Sequence, residues 1–329
     1  MREVAFIKQN KEKWLEFEQA IFGKSKKNPD DLASLYIHLV NDLAYARTYY
    51  PKSKTVVYLN HLASITYQKI YKTKREETNR LVYFFTTEVP LIVYRNRRYV
   101  LYAFLLFIAF TAIGAISAAH DDSFARLIMG DDYVNRTIQN IENGDPVAVY
   151  KGGGNWGMAF GITFNNLKVG LILFITGITG GIGTALFLFQ NSVMLGSFQY
   201  FFYERGVFWA SVRGIWIHGS MEIFAMVIEA AAGLILGAGI LFPKTRSRIE
   251  SLKLSFRDSL KIVVSTMPFT IGAGLLEGFV TRYSKEMPMV LNIAIILITL
   301  IAISYYYLVY PYKVNRKINS LQPAPHEEA

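Results

Sequence analysis

The chain has 329 residues, 52% of them hydrophobic, 15% aromatic and only 18% charged, with a formal net charge of +10. Several uncharged runs are long enough to cross a ~30 Å hydrocarbon layer, roughly 20 helical residues each, and this excludes a soluble protein. Cysteine is absent, which excludes disulfide scaffolds, iron–sulfur clusters, thiol nucleophiles and cysteine zinc sites together.

Residues 1–98 carry 18 Lys and Arg against 10 Asp and Glu, so most of the positive charge precedes the first long apolar run. Short helices are expected there. Phe6, Ile7, Trp14, Phe17 and Ile21 form one stripe, and Leu32, Leu35, Leu39, Leu43 and Ala46 form a second after Pro29. A third helix carries Leu62, Ile65 and Ile70, and a fourth carries Leu81, Phe84 and Phe85. His38 and His61 lie among apolar positions and read as packing residues. The region therefore reads as a small, basic, helical cytoplasmic domain. Its cations suit anionic lipid headgroups at ~1 kcal/mol per nearby Lys or Arg. Nucleic acid is not the expected partner, because such a surplus is ordinary beside a cytoplasmic membrane end. No early apolar segment of the kind found in cleavable signal peptides is visible, so the first span is expected to serve as the targeting signal.

Residues 99–310 read as a membrane domain with spans near 99–119, 167–189, 214–242, 262–280 and 289–310. Arg95, Arg97 and Arg98 sit at the edge of the first span, whereas 121–166 holds three basic and six acidic residues. The positive-inside rule then places the N-terminus in the cytoplasm. Residues 243–261 hold six basic and two acidic residues, and the tail 311–329 contains Lys313, Arg316 and Lys317, so both also face the cytoplasm. Two cytoplasmic ends require an even number of crossings, while five runs are clear. The stretch 191–216 is thus a further span or a re-entrant element. The fold class is an all-α, polytopic bundle of five or six spans.

Ionisable groups inside spans are costly and mark a functional site or a tightly paired contact. His218, Glu222 and Glu229 are spaced by four and seven residues, which puts them within about 40° on one helical stripe. Glu277 lies in another span. An intramembrane polar centre is expected from these four, with Asn165, Asn166 and Asn191 as candidate partners. The stripe either fixes the bundle through hydrogen bonds or lines a path for protons or ions. A His and a carboxylate four apart can meet one metal ion, but one helix supplies too few ligands and no second His-bearing helix is offered, so no metal and no cofactor is expected. Gly177 and Gly181, Gly233 and Gly237, and Gly274 and Gly278 repeat at interval four, with Gly219 inside the polar stripe. Such small residues allow close helix approach within one chain or between copies.

The run from Gly177 to Thr184 lacks the Lys-Ser/Thr ending of a phosphate loop, and the acidic pairs Asp121/Asp122 and Asp131/Asp132 read as solvated loop residues. The sequon at Asn135 is set aside, the run from Lys151 to Trp156 reads as a flexible turn, and no serine or threonine has a readable base-and-acid arrangement. An enzyme is not expected.

The segments Gly161-Ile-Thr-Phe-Asn-Asn166, Gln190-Asn191-Ser-Val-Met-Leu-Gly-Ser-Phe198, Ile217-His-Gly-Ser-Met-Glu222, Ala230-Ala-Ala-Gly-Leu-Ile-Leu-Gly237 and Leu276-Glu-Gly-Phe-Val280 resemble the stage II sporulation protein M family. The His-Gly-x-x-Glu element at His218, Gly219 and Glu222 is the most specific part, and the likeness runs from about Tyr99 to Tyr310. It implies a multi-pass bacterial inner-membrane protein without catalytic activity of its own. It further implies a scaffold that recruits peptidoglycan-degrading partners, so other envelope or membrane proteins are the expected partners, beside membrane lipids and the contact between copies that the glycine pairs allow. The family is usually drawn with five spans, against the even parity read from charge. The basic N-terminus departs from the short sporulation form and is similar to the extension of longer members.

Overall fold

A computed structural model of the protein describes residues 2–22, 29–70, 79–146, 148 and 154–321, and every regular element among them is helical. The chain forms two compact units, Met1–Thr78 and Asn79–Ala329.

The first unit contains α1 (Glu3–Phe22), α2 (Pro29–Tyr49) and α3 (Lys54–Ile70). Pro29 opens α2, where its missing N–H costs no helical bond. The expected stripes converge: Phe6, Trp14, Phe17, Leu39, Leu43, Ala46 and Leu62 are buried together, and Ile7 and Ile65 pack against them. The indole N–H of Trp14 donates to Asp42 at 2.8 Å, so the largest core side chain keeps its polar handle satisfied. The side chains of Ile21, Leu32, Leu35 and Ile70 lie outside the described residues. His38 and His61 are exposed and are not packing residues. Apolar sequence neighbours do not decide which face of a helix a residue takes.

The second unit starts at Asn79 rather than at residue 99. The expected fourth helix is α4 (Arg80–Tyr83), a π-helical turn (Phe84–Glu88) and α5 (Val89–Arg95), which bury Val89, Pro90, Ile92 and Val93 in the bundle core. Tyr306 Oη donates to the Phe85 carbonyl at 2.9 Å, and Lys261 pairs with Glu88.

Among the described residues, five helical segments are long and apolar enough to cross a membrane: Arg97–His120, Asn155–Thr179, Phe208–Leu241, Arg248–Tyr283 and Met289–Ser320. They contain α6 (Arg97–His120), α9 (Asn155–Ile175), α11 (Phe208–Leu241), α12 (Arg248–Phe279), and α13 (Met289–Ser304), a π turn and α14 (Tyr310–Leu321). Helices α7 (Phe124–Met129) and α8 (Asp131–Glu142) lie between α6 and α9. Within the expected Lys151–Trp156 turn, Asn155 already begins α9, and 151–153 lie outside the described residues. The tail is helical to Leu321, and 322–329 also lie outside the described residues.

The apolar run 167–189 is not one span. Helix α9 ends at Ile175, a 3₁₀ turn covers Thr176–Thr179, and Gly180 and Gly181 have φ of 75° and 89°. No α-helix continues through two left-handed residues, so α10 (Ile182–Glu204) is a separate helix of 23 residues, about 34 Å long. The expected element 191–216 is likewise divided. Arg205 and Gly206, the latter at φ 71°, separate α10 from α11. Uncharged residues fill the first turn as fully as the helices around it, which is why hydropathy alone does not mark the break.

Side-chain contacts fix the directions. Phe110 meets Phe189 and Gly114 meets Val193, so α6 and α10 are parallel. Gly170 meets Glu229 and Gly177 meets Gly233, so α9 runs parallel to α11. Helix α12 is antiparallel to α11, with Ser251 on Gly239 and Thr266 on Glu229. Counting α10, six long helices alternate, and Arg97 and Leu321 lie at the same end. That end carries Arg95, Lys261 and Lys313 and is basic; the opposite end carries Asp121, Asp131 and Asp132. Ser247 caps α12 at the basic end by accepting from the Glu250 N–H, with Glu250 three residues on as in a capping box.

Candidate functional site

Helix α11 is the central post of the bundle, and its small residues let neighbours approach its backbone. His218 and Glu229 are buried at 4% and 3% exposure, and Glu222 is partly exposed. Antiparallel α12 brings up Glu277, 5% exposed. One ligand-capable atom from each of His218, Glu222 and Glu277 lies within 4.8 Å of the others. The objection from sequence that a single helix supplies too few ligands does not hold in the fold, because Glu277 arrives from α12.

These groups line a cavity of about 610 Å³ on the acidic half of the bundle. Tyr133 of α8 and Met129 of α7 also line it, and Asn165, Asn166 and Asn191 supply amide groups from α9 and α10. Burial first, and then the charge of Glu277, push the Tyr133 phenol above its ordinary range, while a hydrogen bond with Thr137 opposes the shift. No Lys or Arg is among the described residues that line the cavity.

Of the expected amide partners, Asn166 reaches the stripe through a side-chain hydrogen bond with Glu222, and the other contacts of the stripe are with hydroxyls. His218 Nδ1 meets Thr281 Oγ1 at 2.9 Å, and Thr266 Oγ1 donates to Glu229 Oε1 at 2.7 Å. Asn191 donates within its own helix to the Phe187 carbonyl at 2.8 Å. Asn165 is exposed toward the cavity rather than buried in a contact. Glu229 sits at the bottom of the cavity, two turns from the His218 group, in a notch that Gly170 leaves open: a Cβ there would lie 2.3 Å from Glu229 Oε2.

Below Glu229 the helices close. A Cβ on Gly177 would meet the Gly233 carbonyl oxygen at 2.2 Å, one on Gly233 the Leu173 carbonyl at 2.2 Å, and one on Gly237 the Gly181 nitrogen at 2.3 Å. Thr184 Oγ1 closes the same layer by donating to the Leu173 carbonyl at 2.8 Å. Gly274 and Gly278 admit Thr163 and Ala159 of α9 at the other end. These contacts are internal to the chain. Gly177 and Gly181 do not form one helical face, since Gly177 lies in the 3₁₀ turn and Gly181 is a left-handed residue after it. Gly219 differs from the rest: a Cβ there meets only its own helix's Ile223 and Ile215 side chains at ordinary distances, so it serves the cavity wall and not close packing.

A family model described as Stage II sporulation protein M matches residues 103–282 of this chain. The chain belongs to the Stage II sporulation protein M family. A second model, described as Domain of unknown function (DUF8413), matches residues 4–72, which fall within the first compact unit. No curated protein and no solved structure matches the chain. The matched stretch of this Stage II sporulation protein M family member runs from α6 through Thr281, so it contains both stripes of the polar centre, and α13 lies beyond it.

Sequence reasoning passed over Thr266 and Thr281. A signal was present. Thr266, Thr270, Glu277 and Thr281 are spaced by four, seven and four residues, the same stripe arithmetic as His218, Glu222 and Glu229. Two such stripes on antiparallel neighbours face each other along their length. Threonines draw less notice than charges because they bond their own helix backbone at little cost, as Thr270 does to the Thr266 carbonyl.

Proposed function

We propose that this membrane protein of the Stage II sporulation protein M family is a non-enzymatic scaffold or assembly factor for a bacterial envelope complex. In this reading it sits in the cytoplasmic membrane with its basic end, N-terminal domain and tail inside, and other envelope or membrane proteins as its partners. The side assignment rests on the cluster of Arg95, Lys261 and Lys313 at one end and the acidic loop helices at the other. The recruited class, peptidoglycan-degrading proteins, rests on the family resemblance.

The observation that carries the reading is the closed floor beneath Glu229. A conduit needs polar groups or water along its whole length, because each unsatisfied charge in hydrocarbon is costly. Here the file of carboxylates and histidine ends at the Glu229–Thr266 pair, and backbone-to-backbone contacts at Gly177, Gly233 and Gly237 close the seam between α9 and α11 below it. A rigid bundle with a one-sided cavity suits holding and positioning better than passage.

Liposomes containing the purified chain and a pH-sensitive dye test this. The expected result is no proton flux above that of empty liposomes, together with co-purification of envelope proteins from native membranes. A flux abolished by Glu222→Gln would replace the scaffold with a proton-coupled transporter or channel.

A further inference from the structure

We propose that His218, Glu222 and Glu277 form a binding site for one divalent transition-metal ion of the zinc class, with the cavity supplying a water-filled fourth position. Neither the family match nor the scaffold reading requires such an ion, and the inference stands or falls apart from both.

Three observations carry it. First, the donor set is one imidazole and two carboxylates from two helices, and the three ligand atoms lie within 4.8 Å of one another. Bonds of about 2.0–2.2 Å to a tetrahedral ion place ligands about 3.3–3.6 Å apart, so ordinary rotamer adjustment closes the group. Second, the imidazole is held from behind. His218 Nδ1 is against Thr281 Oγ1 at 2.9 Å, and Nε2 lies 3.7 Å from Glu277 Oε2. A ligating histidine is oriented in this manner when its other nitrogen bonds a fixed oxygen. Third, Glu277 Oε2 is buried and has no hydrogen-bond partner among the described residues. An acceptor-only oxygen in that setting is expensive unless a cation or proton meets it.

The cavity lining explains why the cation would be a bound ion. It offers two carboxylates to His218 and, among the described residues, no Lys or Arg to balance them. Partial exposure of Glu222 gives the ion an approach from the cavity, whose volume of about 610 Å³ leaves room for water on the open side. Calcium takes six to eight oxygens, whereas an imidazole donor favours first-row transition ions.

The test uses the full chain in nanodiscs after treatment with a chelator. Titration with Zn²⁺ is expected to load one ion per chain, and Co²⁺ in its place is expected to give the intense visible band of a four- or five-coordinate ion, bleached when Zn²⁺ is added. Glu277→Gln and His218→Gln remove the loading. Thr281→Val, which keeps all three ligands, weakens it by about 10–100-fold. Asp131→Asn, on an exposed carboxylate, leaves it unchanged and shows that surface acids are not the site. A monodisperse wild-type chain that takes up no stoichiometric zinc, or shows only the weak spectrum of hydrated cobalt, overturns the proposal, and this reading needs no variant to fold. Loading that persists in both ligand variants also overturns it.

Discussion

Both units bury apolar side chains, but the membrane unit adds buried glycine and ionisable groups that the described core of the first unit lacks. In Met1–Thr78 the interior is Phe6, Trp14, Phe17, Leu39, Leu43 and Leu62, and residues such as Lys11 and Glu12 face out. In the membrane unit the most buried helix is α11, whose interior includes Gly214, Gly233, Gly237, Ser220, His218 and Glu229. Leu101, Leu105, Ile108 and Ile116 of α6 are exposed. The solvent explains the difference. Water drives large apolar groups inward, at about 25 cal/mol per Å². Lipid gives them no such drive, so close backbone contact and satisfied polar groups hold the bundle instead.

This contrast is broken most severely by adding bulk at a glycine where two backbones of the membrane unit meet. Gly233→Leu would push a side chain into the Leu173 carbonyl and Thr184, where even a Cβ lies 2.2 Å from backbone. Overpacking of a core that can relax costs about 1–3 kcal/mol. Here the obstacle is backbone on a neighbouring element, so the expected outcome is loss of the monodisperse protein on size-exclusion chromatography in detergent. The converse operation ranks next. Trp14→Ala empties the first unit's core at about 3–5 kcal/mol, read as faster hydrogen exchange in residues 3–70 with the bundle's protection unchanged.

A charge on an exposed apolar position sharpens the comparison further. Ile108 is 60% exposed in the middle of α6, and Val57 is 70% exposed on α3. Ile108→Lys is expected to cost about 2.5–3.5 kcal/mol in membrane insertion, measured as reduced integration of the full chain. Val57→Lys, at an equally exposed site, is expected to change stability by less than about 0.5 kcal/mol. Equal effects at the two positions would mean that α6 does not face lipid.

How much of this was legible depended on which force wrote the pattern. Phe6, Trp14 and Leu43 follow the 3.6-residue period that water imposes, so their burial was readable from spacing. The outer limits of α6 and α13 were readable from charge, since a span ends where ionisable residues resume. The turn at Gly180 and Gly181 was not, because hydropathy records the surrounding solvent and a hairpin tip made of Gly, Ile and Thr is as apolar as a span. The positive-φ glycines were the readable trace of it. With α10 counted as a sixth long helix, the two basic ends marked by Arg95 and Lys313 fall at one end of the bundle. The polar stripe on α11 was visible because charge in a span is conspicuous. Its partners on α12 and in the 3₁₀ turn that follows it were not, because Thr266 and Thr281 carry no charge and pairing across helices depends on which two helices meet.

The smallest effect concerns that pairing. Thr266 Oγ1 lies 2.7 Å from both Glu229 Oε1 and the Val263 carbonyl oxygen and shares its single proton between them, so removing the hydroxyl deprives Glu229 of that bond without emptying space. Thr266→Val keeps the branched shape, and hydrogen bonds between membrane helices average about 0.6 kcal/mol in double-mutant cycles, with a maximum near 1.7. A cycle of Thr266→Val and Glu229→Gln, followed by unfolding in mixed micelles, is expected to give a coupling within that range. Glu229 packs against Gly170 on its other side, so the coupling should approach the upper end. A coupling near zero would mean that the Thr266 hydroxyl is satisfied by its own backbone and that the notch at Gly170 alone positions the carboxyl, which would remove the floor of the polar centre as a hydrogen-bonded layer and leave it a steric one.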